Sequence, residues 1–324
     1  MNYMKNEFKR MTNHRTLLVF FLLFFIACSY SQGQGNVAIK RDTTRGFDFF
    51  FNPGMYIGHK KNANYYRGVP TMESDYADPD IRRLFRDHYY RIDILKLIVE
   101  HHRGVVADTF WLEETSGMRY AANLSFGIGA RYRFTKNLSI GVVFSQALMT
   151  ANGIANIGVK IIEINSADVL PYPLVGKERR SFFELNANYI FSTNGVVSPL
   201  LEADMHINST KVISSDLIVE EQRFPLINEY GGQSYDPSIS QTKIDRKRGG
   251  VGYGFSAAIG LRISFNKWAA IEPIVQFRLE KINLAGYNDI TPNYNFMIRL
   301  VLGDNVFAKK KSEVNENENT INTP

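Results

Sequence analysis

The sequence predicts an all-β fold, an antiparallel up-and-down transmembrane β-barrel of eight strands with a helix in its first external loop. Three observations predict it. Eight stretches alternate apolar with polar or small residues, their connections alternate short and long, and the chain opens like an exported protein. The clearest stretch is Tyr120–Phe134. Its even positions run Tyr120, Ala122, Leu124, Phe126, Ile128, Ala130, Tyr132 and Phe134, against Arg119, Asn123, Ser125, Gly127, Gly129, Arg131 and Arg133 at the odd ones. A strand sends successive side chains to opposite faces, so this one has a greasy face and a wet one. Its length suits the ~9–11 residues that a tilted strand needs to cross a bilayer.

The other strands predicted are Phe47–Gly58, Leu138–Leu148, Phe183–Phe191, Val197–Ile207, Val251–Phe265, Ala269–Leu279 and Tyr294–Leu302. Three connections are tight: Thr135–Asn137, Ser192–Gly195 and Asn266–Trp268. They carry the Asn, Gly and Ser that hairpin turns favour. The other four span 59–119, 149–182, 208–250 and 280–293. Barrels of the outer membrane have short periplasmic turns and long external loops. Starting strand one from the periplasm puts every short turn inside and every long loop outside, and returns both termini to one side. Ile154–Ile164 and Lys211–Val219 form the alternative, since as full strands they would make ten; the eight-strand reading takes them as loop hairpins or strand extensions. Aromatics flank the tight turns (Tyr132 and Phe134, Tyr189 and Phe191, Phe265 and Trp268), as an interfacial girdle requires.

Residues 1–31 read as a signal peptide: Lys5, Lys9, Arg10 and Arg15 precede the apolar run Leu17–Ala27, which is too short to span a bilayer. Cleavage after Ser31 would remove the single cysteine; the alternative is lipid attachment at Cys28. Residues 32–45 are then a periplasmic segment and 46–303 the barrel. The polar tail 304–324, with Lys309–Lys311 and an Asn/Glu-rich end, cannot bury a core and is expected to be disordered. In the first loop a helix is predicted over Pro79–Val99. Asp78 would cap it, with Ile81, Leu84, Phe85, His88, Ile92, Leu95 and Val99 on one face. A net charge of +6 is mild and implies no nucleic-acid partner.

With the apolar face outward, Asp48, Arg131, Arg133, Glu184, Glu202, Asp204, His206, Arg262, Glu272, Arg278, Glu280 and Arg299 point inward. An eight-stranded barrel is just wide enough for side chains to fill it. Buried charges must pair, so an internal salt-bridge network is expected. Gly127, Gly129, Gly252, Gly254 and Gly260 also face inward and leave room for the long arginines. Cations precede three strands descending from outside: Arg119, then Lys177, Arg179 and Arg180, then Lys243, Arg246, Lys247 and Arg248. They would form an external collar for lipopolysaccharide phosphates, which guanidinium groups bind well. No catalytic residue, metal ligand or cofactor is expected. Of His14, His59, His88, His101, His102 and His206, the first leaves with the signal, His88 lies on the helix's apolar face, and the His101–His102 pair lacks ligand spacing with a nearby carboxylate cluster. No Gly-x-Ser-x-Gly element occurs.

The units Gly127-Ile128-Gly129-Ala130-Arg131-Tyr132-Arg133-Phe134 and Tyr253–Phe265, each leading through a short turn into a new alternating strand, resemble the small eight-stranded outer-membrane barrels of the OmpA and OmpX type. The likeness covers roughly 46–303 and implies a location in the outer membrane of a Gram-negative bacterium. The first loop is longer than that family's and carries its own helix. The last strand does not end the chain, and no wall-binding domain follows. The function expected is non-catalytic: a structural, adhesive or accessory role, with the external loops recognising a protein partner or surface polymer. The alternatives are a component of a secretion or envelope-assembly machine, a small channel, or a surface hydrolase.

Overall fold

The computed structural model describes residues 45–69, 78–102, 110–161, 166–191, 196–230, 236–241, 249–266 and 268–303. The predicted signal, the tail and the turn at 192–195 lie outside them. In chain order the strands are β1 (Gly46–Ile57), β2 (Phe110–Thr115), β3 (Arg119–Tyr120), β4 (Asn123–Arg133), β5 (Leu138–Ile161) and β6 (Ser166–Ile190). They continue as β7 (Val197–Val219), β8 (Gln222–Pro225), β9 (Gly249–Ser264), β10 (Ala269–Lys281) and β11 (Ile290–Gly303).

Eight of these close a ring of antiparallel neighbours: β1, β4, β5, β6, β7, β9, β10, β11 and back to β1. Each is one of the eight predicted. The closing pair sets Asp48 against Gly303 and Ile57 against Tyr294. Closure leaves the ring no unpaired edge, which the hydrocarbon core of a bilayer demands. Large apolar side chains cover the outside, among them Phe49, Ile128, Ile140, Leu185, Met205, Ile259, Phe277 and Leu300. So wide an oily surface is incompatible with water and matches a lipid-facing band. At the short-turn end Phe47 and Tyr132 meet at 5.0 Å, as do Tyr132 and Phe134, and Tyr189 meets Phe191 at 5.2 Å. The turns there are stapled by side chains. Thr135 Oγ1 accepts from the Leu138 amide at 3.0 Å, and Asn266 Oδ1 accepts from the Ala269 amide at 2.7 Å.

Beyond the band the strands run on. Ile154–Ile161 and Lys211–Val219 are neither extra barrel strands nor loop hairpins but strand extensions, the other option of the eight-strand reading, and they continue β5 and β7. The β5–β6 pairing runs without a break from Leu138–Tyr189 to Ile161–Ser166. β2 and β3 prolong β4 along β5, and β8 folds back on β7. β2, β5, β6, β7 and β8 therefore form an open sheet standing clear of the ring at its long-loop end.

The first loop packs on that sheet. Its predicted single helix is two, α1 (Ile81–Arg86) and α2 (His88–His101). Asp80, not Asp78, caps the first. Asp87 has extended backbone angles and accepts from the Tyr89 and Tyr90 amides, so it ends one helix and starts the other. The break rotates the buried face. Tyr90, Ile94 and Ile98 go in, while His88, Ile92 and Val99 face out. A single apolar cluster joins Ile81, Leu84, Ile94 and Ile98 to Ile157, Leu174, Leu217 and Phe224 of the sheet. We call this second layer the cap.

Candidate functional site

The polar interior begins at the short-turn end. Arg131 grips Glu272 with both terminal nitrogens, at 3.0 and 2.6 Å, and reaches Asp48 at 3.2 Å through Nε. Arg262 donates to the same Glu272 at 2.7 Å, and Arg133 Nε lies 3.3 Å from Asp48. One layer up, Arg299 makes a second two-pronged pair with Glu202 at 2.6 and 2.8 Å, and donates to Asn52 at 3.2 Å. Such forked, charge-assisted pairs are the strongest hydrogen bonds these side chains make. The Phe50 ring sits beneath both cations, 4.5 Å from the Arg299 guanidinium and 5.7 Å from that of Arg131. Gly129 makes room for this ring rather than for an arginine, because a Cβ there would lie 2.5 Å from it.

Higher still, Arg278 donates to Glu184 at 3.2 Å and stacks on Phe182 at 4.2 Å. Asp204 accepts from Ser256 and Gln276, each at 3.0 Å. His206 Nε2 lies 3.3 Å from Glu280, which also accepts from the Tyr56 hydroxyl. All twelve residues expected to point inward are buried.

At the mouth the ladder meets the cap through a group that the strand assignments missed. Glu178 accepts from Arg180 at 2.6 Å on the barrel side and from Tyr66 at 2.6 Å on the cap side. Tyr66 belongs to a short 3-10 turn, Asn64–Arg67, in the first loop. It packs against Gly176, where a Cβ would sit 2.1 Å from Tyr66 Cγ. Burial, reinforced by the Glu178 carboxylate, pushes the Tyr66 hydroxyl well above its ordinary pKa, so it stays a donor. Elsewhere in the cap, burial raises the Tyr90 hydroxyl to about 12; the Arg83 guanidinium lies 5.6 Å over its ring.

A closed ring with an oily exterior, a paired interior and a stoppered mouth decides the class. This is an eight-stranded antiparallel β-barrel with a lipid-facing exterior.

Similar folds are known at low sequence identity. Neisserial surface protein A is 10% identical with a TM-score of 0.38, covering 80% of this chain and 99% of its own. The N-terminal barrel of Pseudomonas aeruginosa OprF is 10% identical at 0.31, covering 81% and 99%. The outer-membrane protein OprG of the same organism is 12% identical at 0.32, covering 82% and 97%. No family model and no curated protein matches the sequence.

The collar is only partly assembled. Lys243, Arg246, Lys247 and Arg248 lie outside the described residues. Arg180 does not belong to it. Even positions of β6 face inward, so Arg180 is fully buried between Glu178, Tyr56 and Tyr120, the last at 3.0 Å. Carrying the Phe183–Phe191 alternation back by a few residues would have placed both Glu178 and Arg180 inside. Tyr120 is a correction of the same kind. The strand breaks at 121–122, which turns Tyr120 inward although Leu124 faces out. Arg119 and Arg179 are exposed and Lys177 half-exposed. Lys211 stands directly across from Arg179. Among the described residues no histidines gather with carboxylates as metal ligands would. His59 caps the helical turn Lys60–Ala63, and His102 reaches Glu220 at 3.2 Å.

Proposed function

We propose a non-catalytic, non-conducting barrel of the outer membrane that holds the cap outside the cell to recognise a partner. The observation that carries this reading is the filled interior: forked ion pairs occupy the lumen and Tyr66 stoppers its mouth. A ring of eight strands also removes the premise of the small-channel reading, which needed ten. Chain length and strand pairing are invested in the cap, which is where a scaffold of this kind carries recognition. The test has two arms. In planar bilayers the purified protein is expected to give no stable conductance steps. On intact cells, added protease is expected to cut within 59–119 and 208–250 while the tail stays protected. Stable steps, or a cut tail with intact loops, would reject the proposal.

A lipid contact at the rim is a second part of this reading. Lys177, Arg179 and Lys211 face outward just above the apolar band, and Arg179 and Lys211 are cross-strand neighbours of like charge. Such a pair repels unless an anion sits between its members. The phosphates of lipopolysaccharide lie at that level. Replacing all three by glutamine is expected to lower co-purified lipopolysaccharide several-fold, as measured by phosphate content. Unchanged retention would dissociate the rim from lipid binding.

A further inference from the structure

The lipid-facing side of the ring does not stop at the rim. The β5–β6 pairing has no register shift from Leu138–Tyr189 to Ile161–Ser166. Even positions of β5 and odd positions of β6 therefore keep that side along both strands. Upward, the side passes through three zones. Phe144, Leu148, Phe183 and Leu185 belong to the oily band. The cations Arg179 and Lys177 come next. Above them, over roughly 25 Å of strand, Asn152 and Asn156 alternate with Ile154 on β5, while Val175, Pro173 and Pro171 line β6.

The top of this wall is an aromatic platform. Trp111 of β2 stands across from Gly158, and Gly158 across from Val169. A Cβ on Gly158 would lie 2.3 Å from Trp111 Cε2, so the indole packs against bare backbone. Its Nε1 donates to Glu113 at 2.7 Å, which fixes the ring. Trp111 is nonetheless 38% exposed and Val169 46%. One step down the same face, Glu114 stands across from Asn156.

The exposed carboxylates of Glu113 and Glu114 repel phosphate, so this zone differs in kind from the cations below it. A sugar ring suits it. The C–H face of a pyranose packs on the negative face of an indole, and its hydroxyls donate to carboxylates and pair with amides. Oily, cationic, then amide and aromatic is also the order of acyl chain, phosphate and saccharide along one lipopolysaccharide molecule. We propose that the outer wall of the extended β2–β5–β6 sheet binds the saccharide of lipopolysaccharide standing beside the barrel. One sugar ring stacks on Trp111, with Glu114 and Asn156 holding its hydroxyls. This deepens the rim contact proposed above and rests on lipopolysaccharide lying at that level. The two fail separately, because the probe below carries no phosphate.

The probe is lipopolysaccharide from the protein's own cells, freed of acyl chains with hydrazine and of phosphate with hydrofluoric acid. It is titrated against the full-length protein in detergent micelles. Trp268→Phe leaves Trp111 as the single tryptophan, and its emission is expected to change saturably and to be shielded from acrylamide. Saturation-transfer NMR on the saccharide is the second readout. There Trp111→Ala is expected to weaken binding at least tenfold, with protease resistance of the cap verifying its fold. Asn156→Ala, which leaves the platform in place, is expected to weaken it about fivefold. Joint replacement of Lys177, Arg179 and Lys211 by glutamine is expected to leave binding of this probe unchanged. No saturable binding would overturn the proposal, as would binding undiminished in both the Trp111 and Asn156 variants. Equal binding of dextran would overturn it too, since the wall would then accept any soluble glucan.

Discussion

Glu272→Ala is expected to destabilise the barrel by about 3–5 kcal/mol, the range found when one member of a buried ion pair is removed. Glu272 is completely buried and accepts from Arg131 and Arg262, with Arg299 Nη1 3.5 Å away. Its loss leaves these guanidinium groups converging on an empty space in a lumen that water does not freely reach. Asp48 and Glu202 would then have to serve Arg131, Arg133, Arg262 and Arg299. Urea unfolding in detergent measures the effect, with Trp268 fluorescence and gel mobility as readouts. Trp268 lies beside the short turn and half exposed, so it reports on this end of the barrel. Asp93→Asn, at an exposed position on α2, is the control and is expected to change stability by less than about 0.5 kcal/mol. A loss at Glu272 no larger than the control's would mean that the lumen is hydrated and its charges screened.

The second large effect is expected at the joint between barrel and cap. Gly176→Leu puts a side chain where the Tyr66 ring now rests, so Tyr66 must leave and its hydrogen bond to Glu178 must break. Losing the packing of a buried aromatic ring costs about 3–5 kcal/mol. Every 1.4 kcal/mol is tenfold in the docked population. The first loop should therefore be cut by protease at least tenfold faster, while Trp268 fluorescence and the mobility of the folded barrel stay as they are. Tyr66→Ala reaches the same state without disturbing β6 and is expected to match it. Unchanged cutting in both variants would show that the cap is held by the Ile81–Ile98 core alone. Loss of the folded barrel in both would show that the cap and the ring fold as one unit.

Within the membrane the architecture was legible almost residue by residue. Lipid outside and a narrow polar lumen inside impose a period of two on every strand, and that period survives in the sequence from Phe47 to Leu302. Asp48, Arg131, Glu202, Glu272 and Arg299 could be placed in the lumen from parity alone. Which acid pairs with which base could not. Arg131 meets Glu272 across two other strands of the ring, a distance no local pattern encodes.

Above the lipid the same period marks the faces the other way round. The sheet there is wet on one face and covered by the first loop on the other, so apolar residues turn inward while polar ones mark the surface, reversing the rule that holds below. Tyr120 illustrates it, since a break at 121–122 switches the strand from one regime to the other. Asp87 shows the limit for helices. Its neighbours share helical spacing, and only the extended backbone at that residue reveals two helices with different buried faces.

The sequence by itself determined the alternating strands of the ring, a preference for eight of them over ten, their inward charges and the long-loop end, because each follows from a repeat of two residues under a uniform solvent. Tertiary structure alone decided between eight strands and ten, between hairpin and extension for the ends of β5 and β7, and the seat of Tyr66 on Gly176. Those depend on residues far apart in the chain meeting in a second layer, and the energy of such a meeting belongs to neither segment taken alone.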